Sequence, residues 1–66
     1  MVELNETERK ILNYLKNNQD KIIYKKMIHK ELDITYPTIL KWLDFMEYKK
    51  LIEFENIGST IIVKLK

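Results

Sequence analysis

The chain contains no cysteine among its 66 residues. This absence excludes disulfide bonds, cysteine-ligated zinc or iron–sulfur sites, and a thiol nucleophile. Glycine and proline each occur once, so a loop-rich scaffold is not expected either. The remaining composition, 45% hydrophobic and 33% charged, is typical of an ordered, helix-rich domain, and we predict a single domain over residues 1–66.

Catalytic groups and long apolar runs are also scarce. His29 is the one histidine, and the sequence has no glycine-rich phosphate loop and no paired carboxylates in a plausible cleft, so we expect no enzyme activity, no cofactor and no metal site. No apolar run approaches the roughly 20 residues of a membrane-spanning helix, and the first residues do not resemble a secretory signal. We therefore expect a cytoplasmic protein that does not bind membranes, and no small-molecule effector is evident.

Three helices are predicted from capping signals and apolar spacing. Asn5 and Glu8 have the spacing of a capping box, which starts a helix over about 6–18. A second helix is expected over about 25–32. The third is expected over about 36–49, with Thr35 as its cap and Pro37 in its first turn, where the missing N–H is harmless.

After Lys50 the apolar period changes from 3.6 to 2, which predicts a hairpin over about 51–56 and 59–66. We expect Ile61, Val63 and Leu65 to face the core, and Ile62 and Lys64 to face away. Pairing Phe54 with Ile61 and Ile52 with Val63 requires an even loop. A four-residue loop over 56–59 is favoured, because a type I′ turn centred on Ile57 and Gly58 would put Ile57 at positive φ.

The central spacing of apolar residues resembles that of winged helix-turn-helix regulators such as the MarR and ArsR groups. The residues that carry this resemblance are Ile23, Met27, Ile28, Glu31, Leu32, Ile34, Thr35, Thr38, Ile39, Leu43, Met46, Leu51 and Ile52. The chain departs from the family at Asp33 and Lys50, where the family usually has glycine, and at His29, where the family usually has a small residue. The resemblance implies an α+β fold of three helices followed by a two-stranded antiparallel wing.

The resemblance further implies a small transcriptional regulator that binds double-stranded DNA sequence-specifically, with its third helix in the major groove. That helix has an inner stripe around Leu43 and an outer stripe. The outer residues predicted to contact bases are Tyr36, Pro37, Leu40, Lys41 and Asp44. Lys41 can donate to guanine, Asp44 can accept from cytosine, and Pro37 and Leu40 can contact thymine methyl groups.

Phosphate contacts are predicted from basic and hydroxyl side chains on the neighbouring elements. These residues are Lys25, Lys26, Lys30, Thr35, Thr38 and Lys64. Glu53 and Glu55 oppose a phosphate backbone, so we expect a small contribution from the wing, limited to Asn56, Ser59, Thr60 and Lys64.

Two alternatives stay open at the level of the sequence. The net charge of +2, from 12 basic and 10 acidic residues, does not by itself predict nucleic acid, and the lysines could serve only solubility. A winged helix can also be a protein–protein docking module, which exposed Tyr36, Leu40 and Phe45 would suit. A homodimer is possible through the first helix, the aromatic shoulder of Trp42 and Phe45, or the hairpin edge.

Overall fold

The computed structural model describes residues 4–66. Its elements are α1 (Glu6–Asn17), α2 (Lys25–Leu32), α3 (Tyr36–Tyr48), β1 (Ile52–Ile57) and β2 (Thr60–Leu65). The two strands form one antiparallel sheet. The predicted α+β fold, three helices followed by a two-stranded wing, is therefore confirmed. None of the helices within residues 4–66 is long and apolar enough to cross a membrane.

One apolar core joins all five elements. It is formed by Ile11, Leu15, Ile23, Ile28, Ile39, Leu43, Met46, Ile52 and Val63. The inner stripe of α3 supplies Ile39, Leu43 and Met46, all of them fully buried. Trp42, on the aromatic shoulder beside that stripe, packs against the core and is only partly buried.

The first turn of α1 forms the predicted capping box. The Glu8 amide donates to the Asn5 side chain at 2.8 Å, and the Asn5 amide donates to Glu8 Oε1 at 3.3 Å. The Glu8 side chain is only 2% exposed and also accepts from Lys49 Nζ, at 2.9 Å and 3.2 Å. This ion pair connects the start of α1 with the end of α3.

The turn between α2 and α3 is held by His29 and Asp33. Asp33 is left-handed at φ 54°, and the amides of Asp33 and Ile34 both donate to the His29 carbonyl. The His29 ring hydrogen-bonds through Nδ1 to the Ile34 carbonyl. Thr35 is the N-cap of α3 as predicted, but its hydroxyl bonds Thr38 at 2.8 Å and makes no capping bond.

The end of α3 closes in a left-handed turn at Lys50, whose φ is 64°. The Lys50 amide donates to the Glu47 carbonyl at 2.9 Å and the Leu51 amide to the Met46 carbonyl at 3.0 Å. These two bonds are those of a Schellman motif, in which glycine is the usual left-handed residue.

We predict that Lys50→Gly stabilises the domain by about 0.5–1 kcal/mol, because glycine adopts this φ without the clash that a Cβ causes. Chemical denaturation of the two proteins measures the difference. Lys66→Gly, at an exposed position beyond β2, is the control and should change stability little. A loss of stability in Lys50→Gly would mean that the lysine side chain stabilises the turn.

The predicted hairpin register is wrong by two residues. Ile52 pairs with Leu65, Phe54 with Val63 and Ile57 with Thr60, so the loop has two residues and not four. Gly58 takes the positive φ, 63°, at the first central position, while Ser59 does not, which is the pattern of a type II′ turn. Because Gly58 and Ser59 form the turn, Ile57 stays in the strand and the predicted strain does not arise.

The segment before α2 pairs with β2, and this pairing changes which side chains of β2 are buried. Tyr24 bridges Ile62, and the Val63 amide donates to the Ile23 carbonyl at 2.9 Å. Ile62, predicted to face away from the core, is only 4% exposed, whereas Ile61, predicted to face it, is 39% exposed. The reason is that Ile62 lies beside Leu15 and Ile22, while Ile61 stands near the hairpin tip, beyond the core.

Candidate nucleic-acid interface

A concavity of about 690 Å³ lies between the start of α2, the start of α3 and the tip of the wing. Its lining residues are Tyr24, Lys25, Lys26, Tyr36, Leu40, Ser59, Thr60 and Ile61. This lining includes two lysines and no acidic residue. It therefore favours an anion, and its aromatic and aliphatic side chains favour contact with an apolar surface.

The two lysines stand in the first turn of α2, where they weaken the helix. A helix N-terminus carries a partial positive charge, so a cation there costs about 0.3–1 kcal/mol, and this turn has no acidic residue to offset it. Lys25 Nζ lies 4.5 Å from the centre of the Phe54 ring, while Lys26 is exposed. Lys25 therefore has a contact within the fold, whereas an anion bound at this point would offset the unfavourable charge of Lys26.

The α3 wall of the concavity is formed by Tyr36 and Leu40. Both side chains are half-buried, and the Tyr36 ring lies 5.8 Å from the His29 ring. The Leu40 side chain does not pack against the core cluster. Pro37 is exposed beside them but does not line the concavity.

Lys41 and Asp44, the other two predicted base contacts, line a separate depression of about 450 Å³. Phe45 and Tyr48 complete it, and Tyr48 is 86% exposed. Lys41 Nζ lies 5.0 Å from the centre of the Trp42 ring. The predicted base-contacting residues thus fall into two groups along α3.

The remaining predicted phosphate contacts are not all near the concavity. Thr35 and Thr38 bond each other at the start of α3, and Lys30 is exposed near the end of α2. Lys64 forms an ion pair with Glu55, and the hydrogen bond to Glu55 raises the pKa of Lys64. Lys64 lines a different cavity, with Leu15 and Ile22, so the structure separates it from Lys25 and Lys26.

Sequence reasoning missed Tyr24 and Ile61 as lining residues. Both reach the concavity because the segment before α2 pairs with β2. The β-favouring run Ile22-Ile23-Tyr24 was the available signal for this pairing. Ser59 and Thr60, which were among the predicted wing contacts, do line the concavity.

Solved structures of transcription regulators have the same fold. MepR, a transcription regulator of the Staphylococcus aureus multidrug efflux pump MepA, superimposes with a TM-score of 0.91 at 26% identity over 97% of this chain and 48% of its own. Lactococcus lactis ZitR, solved in complex with DNA, gives a TM-score of 0.86 at 24% identity over 98% of this chain and 44% of its own. The predicted resemblance to winged helix-turn-helix regulators is confirmed.

The chain spans about half the length of these regulators. A match over nearly the full length of both chains is dissimilatory sulfite reductase D, with a TM-score of 0.80 at 20% identity over 96% of this chain and 94% of its own. That identity shows the shared fold alone. No protein-family model and no curated protein matches the chain.

Proposed function

We propose that the protein binds double-stranded DNA sequence-specifically as a small, non-enzymatic, cytoplasmic transcriptional regulator, with α3 in the major groove. The observation that carries the proposal is the concavity, where Lys25 and Lys26 stand beside the start of α3 and the wing tip with no acidic residue in the lining. Phosphates would bind the lysines, and the exposed side of α3 would face the bases.

The solved regulators support this proposal. ZitR was solved in complex with DNA, and so was S. aureus MepR, in a structure that is 29% identical over 97% of this chain. Selection of bound duplexes from a random DNA pool tests the proposal directly. Enrichment of one sequence is expected, and recovery of none would contradict it.

Lys26→Ala should weaken binding to every duplex alike, because a phosphate contact carries no sequence information. The slope of log K against log salt should fall by about 1, which corresponds to roughly eightfold weaker binding at 0.1 M salt. Fluorescence anisotropy titrations at several salt concentrations measure both effects.

Lys16→Ala is the matched control, since Lys16 is an exposed lysine on α1 outside the concavity lining. Its slope should match that of the parent protein. Equal slopes for Lys26→Ala and the parent would mean that Lys26 serves solubility only.

Lys41→Ala should weaken binding to the selected duplex by about 1–3 kcal/mol, or roughly 5- to 150-fold, with a much smaller effect on random DNA. The reason is that Lys41 projects from the middle of α3, where a donor can reach guanine. Titrations on both duplexes decide the question, and an equal loss on both would make Lys41 a phosphate contact.

A protein–protein docking module is the second candidate, favoured by the exposed side chains of Phe45 and Tyr48 beside Lys41 and Asp44. Salt separates the two functions, because phosphate binding weakens steeply as salt rises and apolar docking does not.

We also propose that the protein acts as a homodimer, since two copies would read two half-sites of one operator. Light scattering on the DNA-free protein tests the dimer.

A further inference from the structure

The side chains of α3 include few of the groups that recognise purines by hydrogen bonds. Bidentate contacts to adenine come from asparagine or glutamine, and the commonest contact to guanine comes from arginine or lysine. The segment Tyr36–Tyr48 contains no arginine, asparagine or glutamine, and its one lysine, Lys41, lies in the separate depression. The bidentate contact that identifies adenine is therefore not available to α3, which directs attention to the other feature that marks an A·T pair in the major groove.

The α3 wall of the concavity offers that feature. Tyr36 and Leu40 present aromatic and aliphatic surface, and Ile61 lines the same concavity from β2. Leu40 belongs neither to the buried core nor to the side chains packed against it, so folding does not account for an apolar side chain at this position. In the major groove, the apolar group that distinguishes one base pair from another is the C5 methyl of thymine.

We infer that Tyr36 and Leu40 form a binding site for thymine methyl groups in the major groove. The preferred duplex is then selected at this position by methyl contact and not by hydrogen bonds to a purine. The inference rests on the proposed function. Lys25 and Lys26, at the edge of the same concavity, would fix the phosphate backbone and so place the base edges against this wall.

The test uses the intact chain and the duplex selected from the random pool. Each thymine is replaced in turn by 2′-deoxyuridine, which removes only the C5 methyl. Burial of one such group contributes about 0.8 kcal/mol, which is roughly fourfold in affinity. We expect a roughly fourfold rise in Kd at one or two neighbouring positions and little change elsewhere. Replacing such a thymine by cytosine should weaken binding, and 5-methylcytosine should recover about fourfold of the loss.

Substitutions at Leu40 test whether the preference for thymine over uracil comes from the α3 wall of the concavity. Leu40→Ala should bind the thymine and uracil duplexes with nearly equal affinity, whereas Leu40→Met, which keeps the apolar contact, should retain the roughly fourfold preference. Lys16→Ala, an exposed position on α1 outside the concavity lining, is the control and should also retain it. Circular dichroism confirms that each variant is folded.

Two results would overturn the inference alone: binding that uracil weakens at no position, or an unchanged uracil effect in Leu40→Ala. Failure to bind any duplex would overturn the proposed function, and the inference with it. Because the selected duplex must bind before the uracil series begins, the two failures are distinguishable.

Discussion

Leu43→Ala should destabilise the domain by about 2–5 kcal/mol, because the lost methyl groups leave a cavity in a close-packed core. Leu43 is fully buried at the centre of the inner stripe of α3. A 66-residue chain has a total stability of roughly 3–10 kcal/mol. The variant should therefore be partly or wholly unfolded at 37 °C, which thermal melts monitored by circular dichroism will show.

Leu40→Ala is the matched control, three residues earlier on the same helix. Leu40 is half-buried and outside the core cluster, so the same substitution should leave stability within about 1 kcal/mol of the parent. Its expected defect is in DNA binding. Similar melting temperatures for the two variants would contradict the assignment of the α3 stripes.

The helices could be predicted because their signals are local. The capping box joins Asn5 and Glu8 within one turn, and apolar spacing identifies the buried face of each helix. The left-handed positions Asp33 and Lys50 could be found from the family resemblance, since they stand where related sequences usually have glycine. Neither inference required knowledge of the tertiary structure.

The hairpin register could not be derived from the apolar pattern. A strand has a period of two, so a slip of two residues moves no side chain to the other face. The pattern fits the pairing of Phe54 with Ile61 as well as the observed pairing with Val63. The turn decides between the two registers. With Gly58 at the first central position of a two-residue turn, the strands extend to Ile57 and Thr60, as observed.

The concavity is a product of tertiary packing. Tyr24 and Ile61 are 37 positions apart in the chain, and they line the same surface because the segment before α2 pairs with β2. The sequence identified Lys25, Lys26, Tyr36 and Leu40 as candidates through the family resemblance. Of the predicted wing contacts, Ser59 and Thr60 line the concavity, and how much the wing contributes to binding stays a prediction.

The ion pair of Glu8 and Lys49 was also beyond sequence reasoning, since 41 positions separate its members. The capping-box spacing identifies Glu8 from the sequence, but that position alone does not identify its partner in the ion pair. A carboxylate that is 2% exposed needs compensation for its lost hydration. Lys49 Nζ supplies it by contacting both carboxylate oxygens.

Glu8→Gln should lower the free energy of unfolding by about 2–4 kcal/mol. Removing one member of a buried pair leaves an uncompensated charge and typically costs 3–5 kcal/mol, and we expect less here because the Lys49 side chain keeps 30% of its exposure. Glutamine can still accept from the Asn5 amide, so the capping box is preserved. The substitution therefore measures the effect of removing the negative charge alone. Urea denaturation followed by the fluorescence of Trp42 measures the loss.

Lys49→Met completes a double-mutant cycle. Alone it should destabilise by about 3–5 kcal/mol, more than Glu8→Gln, because it leaves the 2% exposed Glu8 carboxylate without its cation. Combined with Glu8→Gln, it removes both charges, and the double variant should be more stable than the sum of the two single losses predicts by about 1–3 kcal/mol. Additive losses would mean that the two side chains contribute through packing alone. Because Glu8 is shielded from solvent, the coupling should persist at 1 M salt, where an exposed pair would be screened.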